Sequence, residues 1–292
     1  VDTCAPINGA DTSGFGDTHH RRAPASPDDR YLRSESECIS TVDRGIRRLF
    51  PTTPTDAVTA FCVSEARGPH PRYINTAISG TEGQWKITGE KMWGTMAPAA
   101  NMIYVAVKTG ESDGQNQLSM VSVDPRQSSV TQLPLPPERN AGPVPICDLQ
   151  FEQTDVTSLF DGDAYTQYIK PFRLIEDVYS TVAMQIALLS LGKAAGLSHA
   201  QREDLVALVA QGFVISASAM DNTGDVLLLT SYLRASQNHW KQMAGNWDNA
   251  SETVRQHWNP KRDILTVASR AREKRRQNAW QSLGDALPDE AT

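Results

Sequence analysis

Between Thr59 and Phe151 the chain alternates short apolar or alternating runs with clusters of turn-forming residues, a rhythm that predicts strands. The runs are Ala60–Ser64, Tyr73–Ser79, Gln84–Thr88, Met102–Lys108, Gln117–Val123, Val130–Leu135 and Ile146–Phe151. Gly80 to Gly83, Gly110 to Gly114 and the proline-rich stretch from Pro134 to Pro145 supply the turns between them. After Asp161-Gly162-Asp163 the apolar period lengthens to three and four residues, the spacing of helices. In the clearest, Phe172 to about Leu197, the positions Phe172, Ile175, Tyr179, Val182, Ile186 and Leu189 form one stripe. Further helices are expected over Arg202–Met220, Asp225–Met243 and Pro260–Leu283, with Pro260 suited to a first helical position. Upstream, Ile39, Val42, Ile46, Leu49 and Phe50 predict a short amphipathic helix over Glu37–Phe50, ended by Pro51 and Pro54. Val1 to about Asp29 has no apolar period and reads as loop.

Strands followed by helices make the fold class α+β, and composition then narrows the function. At 292 residues, 39% hydrophobic and 21% charged, the chain can bury a substantial core. No uninterrupted apolar run reaches the roughly 20 residues of a membrane helix, so no membrane span is expected. A net charge of -6 argues against nucleic acid as partner, because phosphate backbones attract basic surfaces. Cys4, Cys38, Cys62 and Cys147 are scattered, without metal-ligand or disulfide-framework spacing, which fits a reducing cytoplasmic setting. The chain begins at Val1 without a secretory pattern, as a processed or excised start would. No nucleophile elbow, phosphate loop or zinc motif occurs, and His19-His20-Arg21-Arg22 lacks metal-ligand companions, so no metal is expected.

The segment Phe61-Cys62-Val63-Ser64-Glu65, an aromatic-x-aliphatic-Ser-Glu strand, is followed some twenty residues later by Trp85 to Thr95, which contains Gly89-Glu90-Lys91-Met92-Trp93-Gly94-Thr95. Asn101 to Thr109, Cys147 to Phe160 and Lys170 to Asp177 continue the series. In this order the segments resemble the acyl-CoA dehydrogenase superfamily, from about Ala57 to Leu197. The resemblance implies a loop-rich segment over 1–56, a flavin-facing β-barrel or sandwich domain over 57–161 and a shortened α-helical bundle over 162–292. It implies a divergent or N-terminally truncated member, since residues 1–56 are too few and too polar to stand for the family's N-terminal helical domain.

The resemblance further implies an FAD-dependent oxidoreductase that dehydrogenates an acyl-CoA or other acyl thioester at its α,β bond. In this reading Phe61, Val63 and Ser64 lie on the strand facing the flavin, Trp93 stacks on the ring and the Thr95 hydroxyl sits near N5. The family branches that carry their base on the first C-terminal helix match Glu176. Four residues after Phe172 and three before Tyr179, Glu176 lies on or beside the apolar face. A second reading makes it a first-turn glutamate paired with Arg173. The family's Pro-x-x-Gly-Ser-Asp is here Ala66-Arg67-Gly68-Pro69-His70-Pro71, so Arg67 and His70 are candidates for a phosphate, or plain loop residues. The family's later Arg-x-x-Phe-Gly and Gly-rich turn have no counterpart. Family practice implies a homo-dimer or tetramer, or a hetero-oligomer in which this chain is a non-catalytic subunit. The basic run Arg270 to Arg276 reads as a solvated helix face, and Trp240, Trp247, Trp258 and Trp280 as helix packing or a subunit interface.

Overall fold

The computed structural model describes residues 43, 45–68, 70–136, 144–218, 220, 222–262 and 269–284. The loop expected over 1–29, the His19 to Arg22 motif and half of the helix expected over 37–50 lie outside them; residues 45–49 are helical.

Eight strands form one mixed sheet: β1 Thr59–Cys62, β2 Ala77–Ser79, β3 Lys86–Thr95, β4 Met102–Ser112, β5 Gln115–Val123, β6 Val130–Pro134, β7 Ile146–Asp155 and β8 Ser158–Phe160. The spatial order is β6-β7-β3-β2-β4-β5-β8, with β1 paired parallel to β4. β4 explains why the sheet can carry helices. Ile103 to Val107 are all buried, so the strand is covered on both faces and reads as a continuous apolar run. Ile103, Val105 and Val107 enter a core with Ala60, Cys62, Ile87, Val121 and Leu149. Tyr104 and Ala106, on the other face, join Phe50, Ile169 and Phe172, the last at the start of the first long helix. Phe50 stacks on Tyr104 at 3.7 Å and on Tyr168 at 5.0 Å.

The structure redraws several expected boundaries. The strand expected from Tyr73 begins only at Ala77, because Pro71–Tyr73 close a 3-10 turn. β3 does not stop at Thr88 but continues to Thr95, passing Gly89 through an irregularity in its pairing with β7. The turn expected over Gly110 to Gly114 shrinks to Asp113-Gly114, both at positive φ, the tight hairpin that Asp-Gly favours.

A π-helical turn, Tyr165–Ile169, leads into α1 Lys170–Gly192, followed by α2 His199–Ser216, α3 Thr223–Gln242, α4 Ala244–Asp248, α5 Glu252–Arg262 and α6 Ser269–Ser282. Ser198 and Gln201 form a reciprocal capping box at the start of α2, and Asn222 caps α3. Tyr165–Gly192 is long and apolar enough to cross a membrane by length and composition, but most of it is buried as the central helix of the bundle. Its Gln185 is bonded at both ends of the amide: Tyr232 donates to Oε1 at 2.7 Å, and Nε2 donates to Ser236 at 2.7 Å. Trp240, Trp247 and Trp258 pack the bundle's far end, the last two rings 5.2 Å apart. Pro260 falls at the end of α5 rather than at the start of a helix, because Val254 and Trp258 carry the apolar face of α5 into that core. The basic run is a solvated face only in part, since Arg270 and Lys274 are exposed. Arg272 and Arg275 reach across the bundle to the buried Asp177 of α1, Arg272 through Nε at 3.0 Å and Nη2 at 2.8 Å.

Candidate functional site

The region that the sequence singles out is built around one buried charge. Lys91 lies in phase with Ile87 on β3, so its side chain enters the β core, where it is fully buried. An unpaired ammonium would be expensive there, and the chain answers with Glu65, 4% exposed, at 2.7 Å. Lys91 also donates to the Val63 carbonyl at 3.3 Å. Glu65 in turn accepts from the Asn75 amide at 2.8 Å, the Thr76 amide at 3.0 Å and the Thr76 hydroxyl at 2.8 Å. Burial raises the Glu65 carboxyl, but Lys91 and these donors outweigh it and hold the pKa below the ordinary value; burial holds Lys91 below its own. Cys62, in the same core, is pushed up to about 12 by burial.

This pair fixes the backbone on which the candidate residues sit. Ser64 lies between Val63 and Glu65, both tied to Lys91, and its carbonyl accepts the Met92 amide at 2.8 Å. Immediately beyond Met92, β3 breaks register with β7: Lys91 pairs with Leu149 and Gly94 with Cys147, leaving one extra residue on β3. Trp93 takes up that residue at φ 61, a left-handed conformation rare for a large side chain, and its amide donates to Asp148 Oδ1 at 2.9 Å. The bulge turns the indole outward, 47% exposed, and puts Thr95 on the same exposed side while Gly94 stays buried. Ser64 is thereby held beside Met92 on β3, and Trp93 and Thr95 are both exposed on that strand.

Phe61 and Val63 are not offered there by their side chains. Val63 is buried, and Phe61 stacks on Phe172 at 4.1 Å, in the core between sheet and α1. Alternation along β1 decides this, sending 61 and 63 to the helix side and 60 and 62 into the β core. Arg67 and His70 are exposed on the turn after Glu65. The Arg67 guanidinium lies 4.6 Å over the Tyr73 ring, and the His70 ring is 5.5 Å from it.

Glu176 lies one helical turn beyond Phe172, and the Phe61–Phe172 stack links its helix to β1, which ends at Cys62, two residues short of Ser64 and of the strand end expected there. Its side chain is exposed on α1, with protein packed near its carboxylate. Burial raises its pKa, and Asp177 adds to the rise, against Arg173, Arg272 and Arg275. Among the described residues no hydrogen bond or ion pair engages the carboxylate, so the expected pairing with Arg173 is absent and Asp177 takes the arginines instead. No cluster of three or more His, Cys, Asp or Glu suited to a metal occurs among the described residues. Sequence reasoning missed the Glu65–Lys91 pair, although a lysine in phase with Ile87 was its signal.

Residues 60–154 match the family model described as acyl-CoA dehydrogenase, middle domain. Solved structures share the fold. A glutaryl-CoA dehydrogenase from Mycobacterium smegmatis in complex with FADH2 is 14% identical, with 89% of this chain and 78% of that one covered at a TM-score of 0.60. A glutaryl-coenzyme A dehydrogenase in complex with glutaryl-CoA is 12% identical, with 88% and 78% covered at 0.61. An acyl-CoA dehydrogenase from Geobacillus kaustophilus is 12% identical, with 88% and 81% covered at 0.59. No curated protein sequence matches the chain significantly. Residues 60–154 are thus similar to the acyl-CoA dehydrogenase middle domain, and the chain shares the fold of these dehydrogenases.

Proposed function

We propose that the chain is an FAD-dependent oxidoreductase that dehydrogenates an acyl thioester such as an acyl-CoA across its α,β bond. The observation that carries the reading is the bulge at Trp93, which spends a left-handed backbone conformation on turning a large aromatic outward beside Ser64 and Thr95. An exposed indole flanked by two hydroxyls and the edge of strand backbone fits a planar ring with a polar rim. Flavin, when bound, supplies a hydride acceptor at N5 for the hydrogen leaving the β-carbon. The chain's own residues do the rest. Trp93 covers a ring face, Ser64 and Thr95 offer hydrogen bonds to its rim, and the Lys91–Glu65 pair keeps that edge in place. Glu176 removes the α-proton; its free carboxylate and raised pKa suit a general base. Arg67 and His70, exposed on the turn after Glu65, are the candidates to contact the thioester's phosphates.

Within this reading the protein belongs to fatty acid metabolism, acts in the cytoplasm and assembles as a homo-dimer or tetramer. A second reading, a non-catalytic subunit in a hetero-oligomer, is favoured by the engagement of Arg67 with Tyr73, which leaves it less available to a phosphate. Purified protein separates the two. The enzyme is yellow, or becomes so on titration with FAD, with quenching of tryptophan fluorescence; a colourless protein that cannot be reconstituted overturns the flavin reading.

A further inference from the structure

The bulge at Trp93 turns more than one side chain. Along a regular strand alternate residues share a face, so with Lys91 in the β core Trp93 and Thr95 would follow it inward. The extra residue shifts the phase by one, and Trp93 and Thr95 are exposed while Gly94 is buried. Position 94 has no room for a side chain: a Cβ there would lie 3.0 Å from that of Ala97 and 3.1 Å from the Cys147 carbonyl. Whatever fixes the phase of this strand end therefore presents Trp93 and Thr95 together.

Asp148 stands where that phase is set. On β7, Leu149 pairs with Lys91 and Cys147 with Gly94, so Asp148 faces both Met92 and Trp93 across the bulge. Its neighbours Cys147 and Leu149 are buried in the β core, and alternation sends the Asp148 side chain to the opposite face, where it is half-buried. From there Oδ1 accepts the Trp93 amide at 2.9 Å, while the Ser64 carbonyl accepts the Met92 amide at 2.8 Å. The two amides opposite Asp148 thus find acceptors off the β7 backbone, one on a neighbouring segment and one on a side chain. We propose that Asp148 is a positioning residue whose carboxylate locks the bulge and so keeps Trp93 and Thr95 facing outward.

The left-handed conformation of Trp93, at φ 61, is one that a large side chain holds only when its surroundings over-determine it. Without the carboxylate, water bonds the exposed amide but does not fix its direction, and the strand end is free to move. A hydrogen bond to a charged acceptor is worth about tenfold or more in the population of the locked form. Under the proposed function, on which this consequence rests, Asp148 touches no cofactor. It sets both the indole that covers the ring and the hydroxyl at its rim.

The test uses the full chain, isotope-labelled at its six tryptophans, with the Trp93 amide signal assigned by its loss in Trp93→Phe. Without flavin, this amide is expected to resist solvent exchange in the wild type and to exchange about tenfold faster in Asp148→Ala. Asp148→Asn, which keeps the accepting oxygen, is expected to restore the protection. The amides of the buried Trp240, Trp247 and Trp258 should not change, a control on the fold. Asp148→Val, which suits a strand and also lacks an acceptor, repeats the measurement should Asp148→Ala unfold. Titration of the same proteins with FAD is expected to give a Kd about tenfold weaker without the acceptor and close to wild type in Asp148→Asn. A wild-type Trp93 amide that exchanges as a free amide overturns the proposal. So does an acceptor-free variant as protected as wild type, an Asp148→Asn that behaves like Asp148→Ala, or an FAD affinity indifferent to faster exchange. A wild type that gives the expected exchange results yet binds no FAD overturns the flavin reading and leaves Asp148 as the residue that holds the bulge.

Discussion

Replacing Lys91 tests whether a buried charge organises the candidate site. Lys91→Met removes the ammonium and leaves Glu65, 4% exposed, with three donors from Asn75 and Thr76. Breaking a buried pair from one side typically costs about 3–5 kcal/mol, and the surviving donors put this variant at the lower end. Glu65→Leu is the harsher change. It strands the ammonium with only the Val63 carbonyl at 3.3 Å and leaves the buried Thr76 amide without its carboxylate acceptor. Its cost is expected at the upper end, limited by the point at which the desolvated amine sheds its proton. The double variant Glu65→Leu/Lys91→Met removes both charges and is expected to cost less than either single change, as apolar replacements of whole pairs do.

The assay is urea unfolding followed by fluorescence and circular dichroism, used as free energies where the two transitions coincide. A pH series adds a sign. Glu65 has a folded pKa below its ordinary value, so its contribution is present above the ordinary glutamate range and is lost as pH falls through the folded value. The gap between wild type and Lys91→Met therefore closes in acid. A loss below about 1 kcal/mol for Lys91→Met, or a Glu65→Leu variant no weaker than Lys91→Met, would refute the reasoning.

Glu176→Gln is expected to lower turnover of any accepted thioester by about 10²–10⁴-fold without lowering the unfolding midpoint, because burial already disfavours its charged carboxylate. The wild-type rate should rise with pH through a value above the ordinary 4.5, and the variant should lack that limb; an intact rate in Glu176→Gln sinks the assignment. Cys62 and Cys147 are buried, with pKa values pushed up to about 12 and about 11, so peptide-resolved alkylation at mild alkaline pH should label neither until the chain unfolds. Raised thiol values stabilise the fold below the ordinary 9.0 and cease to do so as pH climbs above it, so stability should fall on the alkaline side; rapid labelling of the native protein would contradict this. Gly89→Ala should cost about 1–3 kcal/mol by urea unfolding, since φ there is +146° and a Cβ would lie 2.6 Å from the Thr76 backbone that holds Glu65; a neutral substitution would disprove the close approach.

How much of this was legible in the sequence depends on whether the deciding interaction is local. β4 and the hairpin at Asp113-Gly114 are written in a continuous apolar run and a turn dipeptide, and α1 in a stripe of period 3.6. The end of β3 is not, because Gly89 and the bulge at Trp93 look like strand breakers until β7 supplies the shifted partners Leu149 and Cys147. The roles of neighbouring acids are illegible for the same reason. Nothing local distinguishes Glu176 from Asp177, yet Arg272 and Arg275, some 95 residues away, bind one and leave the other free.

Two features, however, could have been derived from phase alone. Lys91 keeps step with Ile87 on a strand, so a buried cation was already implied, and Glu65 stood in the neighbouring motif as the acid to meet it. α2 reads as apolar all round, which in a helix at the edge of a bundle leaves one side without a partner inside the chain. In both cases the sequence states a demand rather than a contact: a charge that requires an acid, and an apolar stripe that requires a second surface. The fold answers the first with Glu65. The second has no answer within the described residues, where Val206, Phe213 and Val214 stay exposed.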